Sequence, residues 1–344
     1  MKKPSQHERR PAPRVVPISR VASIAEEAAG QAGGAPRSAP EAASSARSAV
    51  AADPRDLVAR ALAILTEESV TGDEAQSSDL RRQRPALGNA TKCPDLPPWQ
   101  RVIGNAAQPL NLPLQRRMLS DGTEVPLPIR FFDAQCLLAT FMTGLERAAE
   151  VLTGTGLQTV VQEDGNAIVL LGCFEYRKTD IGPYNEVCLG VWAVAPGDRI
   201  QACYVINLPV TTATANRAGR EIWGYNKFVT PIDIQRDGKK FSTTLDDPDN
   251  ALILMLEGTR GASVPMPPAD VPTFSLLDGK VIKTVIRPMT PFQLSGGHDF
   301  VLKLGKSEHP MADNLRILGL DGARPALVQY ADPLQSLLFP GGVL

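Results

Sequence analysis

From about residue 129 onward the chain is a succession of short apolar runs rich in β-forming residues, each closed by a turn signal, and this rhythm limits the fold most strongly. Strands are expected near 130–141, 157–162, 167–177, 186–195 and 199–208, and again near 227–236, 240–246, 251–257, 280–287, 299–304 and 326–331. Asp164-Gly165-Asn166 and Asp237-Gly238-Lys239 read as hairpin turns between neighbouring runs, which predicts antiparallel pairing. In this part of the chain two stretches read as helices, about 143–153 and 212–222; the second has Thr211 or Thr212 as its N-cap and Gly224 as its stop. Many strands, few helices and no β-α-β alternation predict an α+β fold on a large, curved antiparallel β-sheet or barrel. A barrel of this type can enclose a small apolar cavity.

The rest of the 344-residue chain differs in composition. Residues 1 to about 53 are mostly Ala, Pro, Ser, Arg and Glu, with too few large apolar side chains to offset the entropy of ordering them. Within 54–68, Leu57, Ala61, Ile64 and Leu65 recur at helical spacing behind Asp53 and Pro54, which predicts one short helix. A polar linker over about 70–95 follows. The expected organisation is therefore a largely disordered tail over 1–95 and one domain over 105–344.

Charge excludes several functions. The 36 basic and 37 acidic residues are interspersed, and no basic stripe with interleaved aromatics suggests nucleic-acid binding. No apolar run approaches the ~20 residues that span a bilayer, and no apolar core marks a secretion signal near the start, so neither a membrane nor a nucleic acid is expected as a partner. Four of the five cysteines (Cys136, Cys173, Cys188 and Cys203) lie in apolar β-runs, and Cys93 lies in the polar stretch; buried free thiols and a reducing cytoplasm are expected. With only His7, His298 and His309 available, neither a histidine-based zinc site nor a histidine-dependent triad is expected. No dinucleotide or phosphate-binding glycine motif occurs, so no cofactor is predicted.

The segment Gly219-Arg220-Glu221-Ile222-Trp223-Gly224-Tyr225-Asn226-Lys227-Phe228 sets one lysine just after a glycine-aromatic turn, with apolar or neutral neighbours on both sides. An ammonium held there loses hydration, and desolvation favours the neutral amine. A neutral amine attacks a ketone to give a Schiff base. The same kind of turn also occurs in strands whose lysine reaches out to water.

The pattern Gly-Arg-Glu-x-x-Gly-Tyr-x-Lys, followed by a β-run with Pro231, resembles the Schiff-base lysine segment of the acetoacetate decarboxylase family. That enzyme is a standard example of a lysine activated by desolvation or by a neighbouring cation. The family motif ends in aromatic-Pro-Lys-Lys, and Lys227 falls on the first, covalent lysine. Asn226 stands in place of the proline and Phe228 in place of the second lysine, so desolvation alone is left to favour the free amine. The likeness covers about 127–343 and implies a cone-like antiparallel β-barrel with the lysine inside, assembled as a homo-oligomer.

The resemblance also implies further site residues. Glu186 stands in a Gly-Pro-Tyr-x-Glu pattern found in family relatives, and Asp180 falls near the decarboxylase's pocket glutamate. A carboxylate beside a Schiff base orients the amine or shuttles a proton. Arg130 lies close to the family's pocket arginine and would hold the substrate carboxylate, with Tyr225 and Phe228 beside the substrate. Arg220 and Glu221 are expected to pair and brace the lysine loop. Phe132, Trp192, Trp223 and Phe228 are expected to line the cavity.

The implied function is cofactor-independent decarboxylation of a β-keto acid by an acetoacetate decarboxylase-like lyase. Two rivals stand beside it. One is a Schiff-base aldolase-dehydratase acting on an α-keto acid, favoured by the loss of the second lysine. The other is a noncatalytic binding barrel in which Lys227 simply pairs with a carboxylate such as Glu186.

Overall fold

The computed structural model describes residues 115–197 and 200–344. The expected tail over 1–95, its helix at 54–68, and Cys93 lie outside the described residues.

In chain order the elements are β1 (Gln115–Met118), β2 (Glu124–Leu127), β3 (Ile129–Gly144), α1 (Leu145–Val151), β4 (Gln158–Thr159), β5 (Asn166–Thr179), β6 (Tyr184–Val194) and β7 (Gln201–Asn207). Then come α2 (Ala213–Trp223), β8 (Ile232–Asp237), β9 (Lys240–Asp246), β10 (Leu252–Thr259), β11 (Val264–Met266), β12 (Val271–Leu277) and β13 (Lys280–Pro288). The last are β14 (Phe292–Gly296), β15 (Phe300–Leu304), α3 (Pro310–Ile317), β16 (Leu327–Leu338) and β17 (Gly342–Val343). No helix among the described residues is long and apolar enough to cross a membrane.

Seven strands close on themselves in the order β16-β3-β5-β6-β7-β12-β13, with β13 pairing back onto β16. The expected barrel is therefore present. One neighbouring pair, β7 with β12, is parallel rather than antiparallel. The chain leaves the barrel after β7, builds α2 and three strands of a second sheet (β8–β10), and returns as β12 beside β7 in the same direction; β15 joins that sheet later. That second sheet has four strands in the order β15-β10-β9-β8.

The pleat of the barrel strands separates two cores, because successive side chains point to opposite faces. On β3, Leu137 joins the core shared with the four-stranded sheet and α3, while Cys136 joins the core that holds α2 and the β1–β2 hairpin. On β6, Val187 and Leu189 face the first core and Cys188 the second. Strands buried on both faces read as unbroken apolar runs, which is why the sequence shows them so plainly.

Prolines account for much of what the sequence reading missed. β12 contains Pro272 and β11 contains Pro265, and a proline inside a run argues against a strand. β16 was expected to end near 331, but it continues to Leu338 through register shifts around Pro333. The run expected at 157–162 is strand only over Gln158–Thr159. The one expected at 227–236 begins at Ile232, because 227–231 is pinned to the segment after β7 instead. Helix α3 was missed: its N-cap is His309, whose Nδ1 accepts from the Met311 N–H at 3.1 Å, with Pro310 in the first turn.

Candidate active site

Helix α2 aims the lysine. Its first turn is capped by Thr212, whose hydroxyl accepts from the Ala215 N–H. It ends at Gly224, which adopts φ 69° and donates its N–H to the Arg220 carbonyl at 3.1 Å. A side chain at Gly224 would also meet the Leu276 carbonyl carbon at 2.7 Å, so the turn demands glycine twice over. The chain then doubles back along the helix. Tyr225 N–H donates to the Gly219 carbonyl at 3.1 Å, and the Arg220 guanidinium donates to the Lys227 carbonyl at 2.9 Å. Asn226, where the family motif has proline, donates from Nδ2 to the Ile206 carbonyl at 3.1 Å and accepts at its own carbonyl from Leu208 N–H at 3.0 Å.

The side chain of Lys227 passes directly over Gly219. Its Cγ would lie 3.4 Å from a Cβ placed there, and Cδ and Cε would overlap it. The ammonium ends on Oε2 of Glu186, both groups being buried (4% and 7% exposed). The other oxygen, Oε1, accepts from the Tyr176 hydroxyl at 3.4 Å. Nζ lies 5.8 Å from the centre of the Tyr184 ring, within cation–π range. Burial, reinforced by the Glu186 carboxylate, pushes the Tyr176 and Tyr184 hydroxyls well above the ordinary phenol range. Both stay protonated.

The pair opens on a cavity of about 110 Å³ inside the barrel, lined among others by Phe131, Phe174, Tyr176, Tyr184, Trp223 and Leu338. Cys188 and Cys203 contribute thiols to the wall; burial holds Cys203 at about 12 and Cys188 well above its usual value, so both behave as apolar surface.

Of the other expected site residues, Tyr225 alone lines the cavity. Arg130 and Asp180 pair with each other and line no part of the cavity: Nη2 donates to Oδ1 at 2.8 Å, Nε donates to Oδ2 at 2.9 Å, and Arg130 N–H also reaches Oδ2 at 2.9 Å. Tyr225 lines the cavity, but its hydroxyl is engaged with Thr273 Oγ1 at 2.8 Å. Phe228 faces away, its ring 4.2 Å from that of His309. Arg220 and Glu221 do not pair. The first holds the lysine loop, and the second accepts from Ser120 N–H at 2.8 Å, tying the β1–β2 hairpin to α2. Of the four expected wall aromatics, only Trp223 reaches the cavity.

Sequence reasoning missed Tyr176 and Gly219. Tyr176 was recoverable once the turn after Thr179 had been read as a hairpin. The register then pairs Phe174 with Glu186 and Tyr176 with Tyr184.

The sequence model of the acetoacetate decarboxylase (ADC) family matches residues 111–285, just over half of the chain. The chain belongs to that family. Solved structures similar to it include acetoacetate decarboxylase from Legionella pneumophila, at 16% identity over 68% of this chain and 93% of that one, TM-score 0.49. The enduracididine biosynthesis enzyme MppR complexed with pyruvate matches at 15% identity over 65% and 93%, TM-score 0.49. An acetoacetate decarboxylase-like enzyme from Sphingomonas wittichii matches at 13% identity over 64% and 94%, TM-score 0.46. None of the curated proteins compared matches the chain.

Proposed function

We propose that this member of the family is a cofactor-independent β-keto acid decarboxylase working through a Schiff base on Lys227. The observation that carries the reading is the buried Lys227–Glu186 pair facing an apolar cavity. Outside a reaction, such a pair is a poor device for stability, since desolvating two charges offsets most of their attraction.

Glu186 Oε2 takes a proton from Nζ, and the resulting amine adds to the substrate ketone. The carbinolamine loses water as Glu186 returns the proton, leaving a protonated imine. The bond between the α-carbon and the carboxylate then breaks. Its electron pair moves into the imine and neutralises the nitrogen, so the products are CO2 and an enamine. Glu186 is ionised at this stage, so the enamine carbon takes its proton from a water that Glu186 orients. Hydrolysis of the resulting imine then releases the ketone, and one proton taken from solvent per turnover restores the Lys227 ammonium beside Glu186. Tyr176 donates to Oε1 and so keeps Oε2 turned towards Nζ.

The test is borohydride reduction of the full-length protein in the presence of β-keto acids, read by mass spectrometry of the Lys227 peptide together with CO2 release. A reduced ketone adduct on Lys227 supports the scheme. An aldol or dehydration product from an α-keto acid, with no CO2 from any β-keto acid, assigns the aldolase-dehydratase reaction. Failure of every acid to form an adduct leaves a binding barrel.

A further inference from the structure

We infer that the substrate is a β-keto monoacid carrying an apolar substituent, bound with its carboxylate against an uncharged wall rather than on an arginine. This rests on the Schiff-base reading of Lys227.

Among the described residues that line the cavity, only Glu186 and Lys227 are charged, and each is the other's partner. The nearby guanidinium that the family resemblance offered is spent. Arg130 gives Nε and Nη2 to the two oxygens of Asp180, 2.9 and 2.8 Å away, and neither residue lines the cavity. Arg220 is turned onto the Lys227 carbonyl. The hydroxyls of Tyr176 and Tyr225 already serve Glu186 and Thr273. Among the described residues, a bound carboxylate therefore meets a single positive charge, the imine that the reaction itself creates.

That arrangement favours one class of acid. A buried carboxylate with no charged partner but that transient imine is disfavoured, and losing its charge relieves the cost. In a β-keto acid the charge does disappear: the carboxylate's carbon leaves as neutral CO2 while its bonding electrons neutralise the imine. An α-keto acid keeps its carboxylate through every aldol step. A dicarboxylate brings a second one that stays behind.

The remainder of the cavity is suited to hydrocarbon. Phe131, Tyr176 and Tyr184 form a continuous aromatic wall, with ring centres 4.6 and 4.7 Å apart, and Ile286 and Leu338 add aliphatic surface. One water takes ~10–15 Å³ on the same scale, so the ~110 Å³ cavity has room for roughly seven to eleven non-hydrogen atoms. Acetoacetate fills only the bottom of that range. Each further methylene buried should improve kcat/KM about fourfold until the space is full.

The experiment compares acetoacetate, 3-oxohexanoate and 3-oxooctanoate with oxaloacetate, 3-oxoglutarate and pyruvate on the full-length protein, measuring CO2 release and borohydride trapping at Lys227. The expected result is kcat/KM about fifteenfold higher for 3-oxohexanoate than for acetoacetate, from two added methylenes, with the dicarboxylates and pyruvate trapped least. A flat chain-length series, or a dicarboxylate or pyruvate trapped best, overturns the substrate class while leaving the Schiff base intact. Absence of any Lys227 adduct with all six acids overturns both readings.

Discussion

Replacing Gly219 by alanine separates fold stability from the chemistry of the site. Gly219 is buried in the second half of α2, where alanine would normally stabilise a helix by about 1 kcal/mol. Here the new methyl would overlap Cδ and Cε of Lys227 and lie 3.4 Å from Cγ. Carbon atoms settle at about 3.5–4 Å, so the end of the lysine must move by roughly 1 Å. Backbone is not forced apart, because the obstructing atoms belong to a flexible side chain, so overpacking should cost near the low end of about 1–3 kcal/mol. The two effects nearly cancel, and the net loss should fall between zero and about 2 kcal/mol. The site is affected differently. A displacement of about 1 Å at a reacting group costs on the order of 100-fold in rate, about 2.7 kcal/mol of barrier. The measurement is the rate of borohydride trapping at Lys227 beside a thermal melt of Gly219→Ala. Near-native melting with trapping slowed about 100-fold is expected. Wild-type trapping would refute the claim that this glycine makes room for the lysine.

Other perturbations probe the surrounding groups. Lys227→Met should abolish trapping and cost about 3–5 kcal/mol in denaturant unfolding, because it leaves Glu186 buried without a cation; adding Glu186→Leu should restore most of that loss. Asp180→Asn should lower stability by about 1.5–3 kcal/mol through the lost Arg130 contacts yet leave Lys227 trapping in place, and abolished trapping would return Asp180 to the chemistry. His309 gives a pH signature. Burial lowers its folded-state pKa below the ordinary 6.5, only partly countered by Asp247 and Asp313, so the unfolded chain binds more protons near pH 6. Its contribution to stability is complete above about pH 6.5 and is lost as pH falls below that, when protonation also removes the Nδ1 acceptor that caps α3. Melting temperatures between about pH 7.5 and 5.5 should show this slope, and His309→Asn, which keeps a capping acceptor, should flatten it.

The barrel was legible because its strands are buried on both faces and therefore announce themselves as long apolar runs. Strands such as β12, with Pro272 in their middle, fall below that signal, as does an eight-residue helix that starts at a proline. At the site, Lys227 and Glu186 stood out by their local patterns, although they are 41 residues apart in the chain. The Arg130–Asp180 contact was not legible. Both residues were matched by position to separate pocket roles, and nothing in a linear reading reports that two opposite charges 50 residues apart satisfy each other. Gly219 was visible only as part of a motif. Its reason, the path of a side chain eight positions later, exists only in the folded turn.

The same turn changes the meaning of Phe228. In sequence it favoured the aldolase-dehydratase rival, since it removes the cation expected beside Lys227. Successive side chains in extended backbone point to opposite sides. Lys227 enters the cavity, so residue 228 must leave it, and Phe228 does so by packing on the His309 ring at the start of α3. A lysine at 228 would therefore sit outside the cavity wall, with protein between its charge and Nζ. What surrounds Nζ of Lys227 is instead the Glu186 carboxylate and the buried, mostly apolar cavity wall. Losing the second lysine accordingly counts for little in choosing between a decarboxylase and an aldolase, whereas the uncharged wall around the substrate carboxylate counts for more.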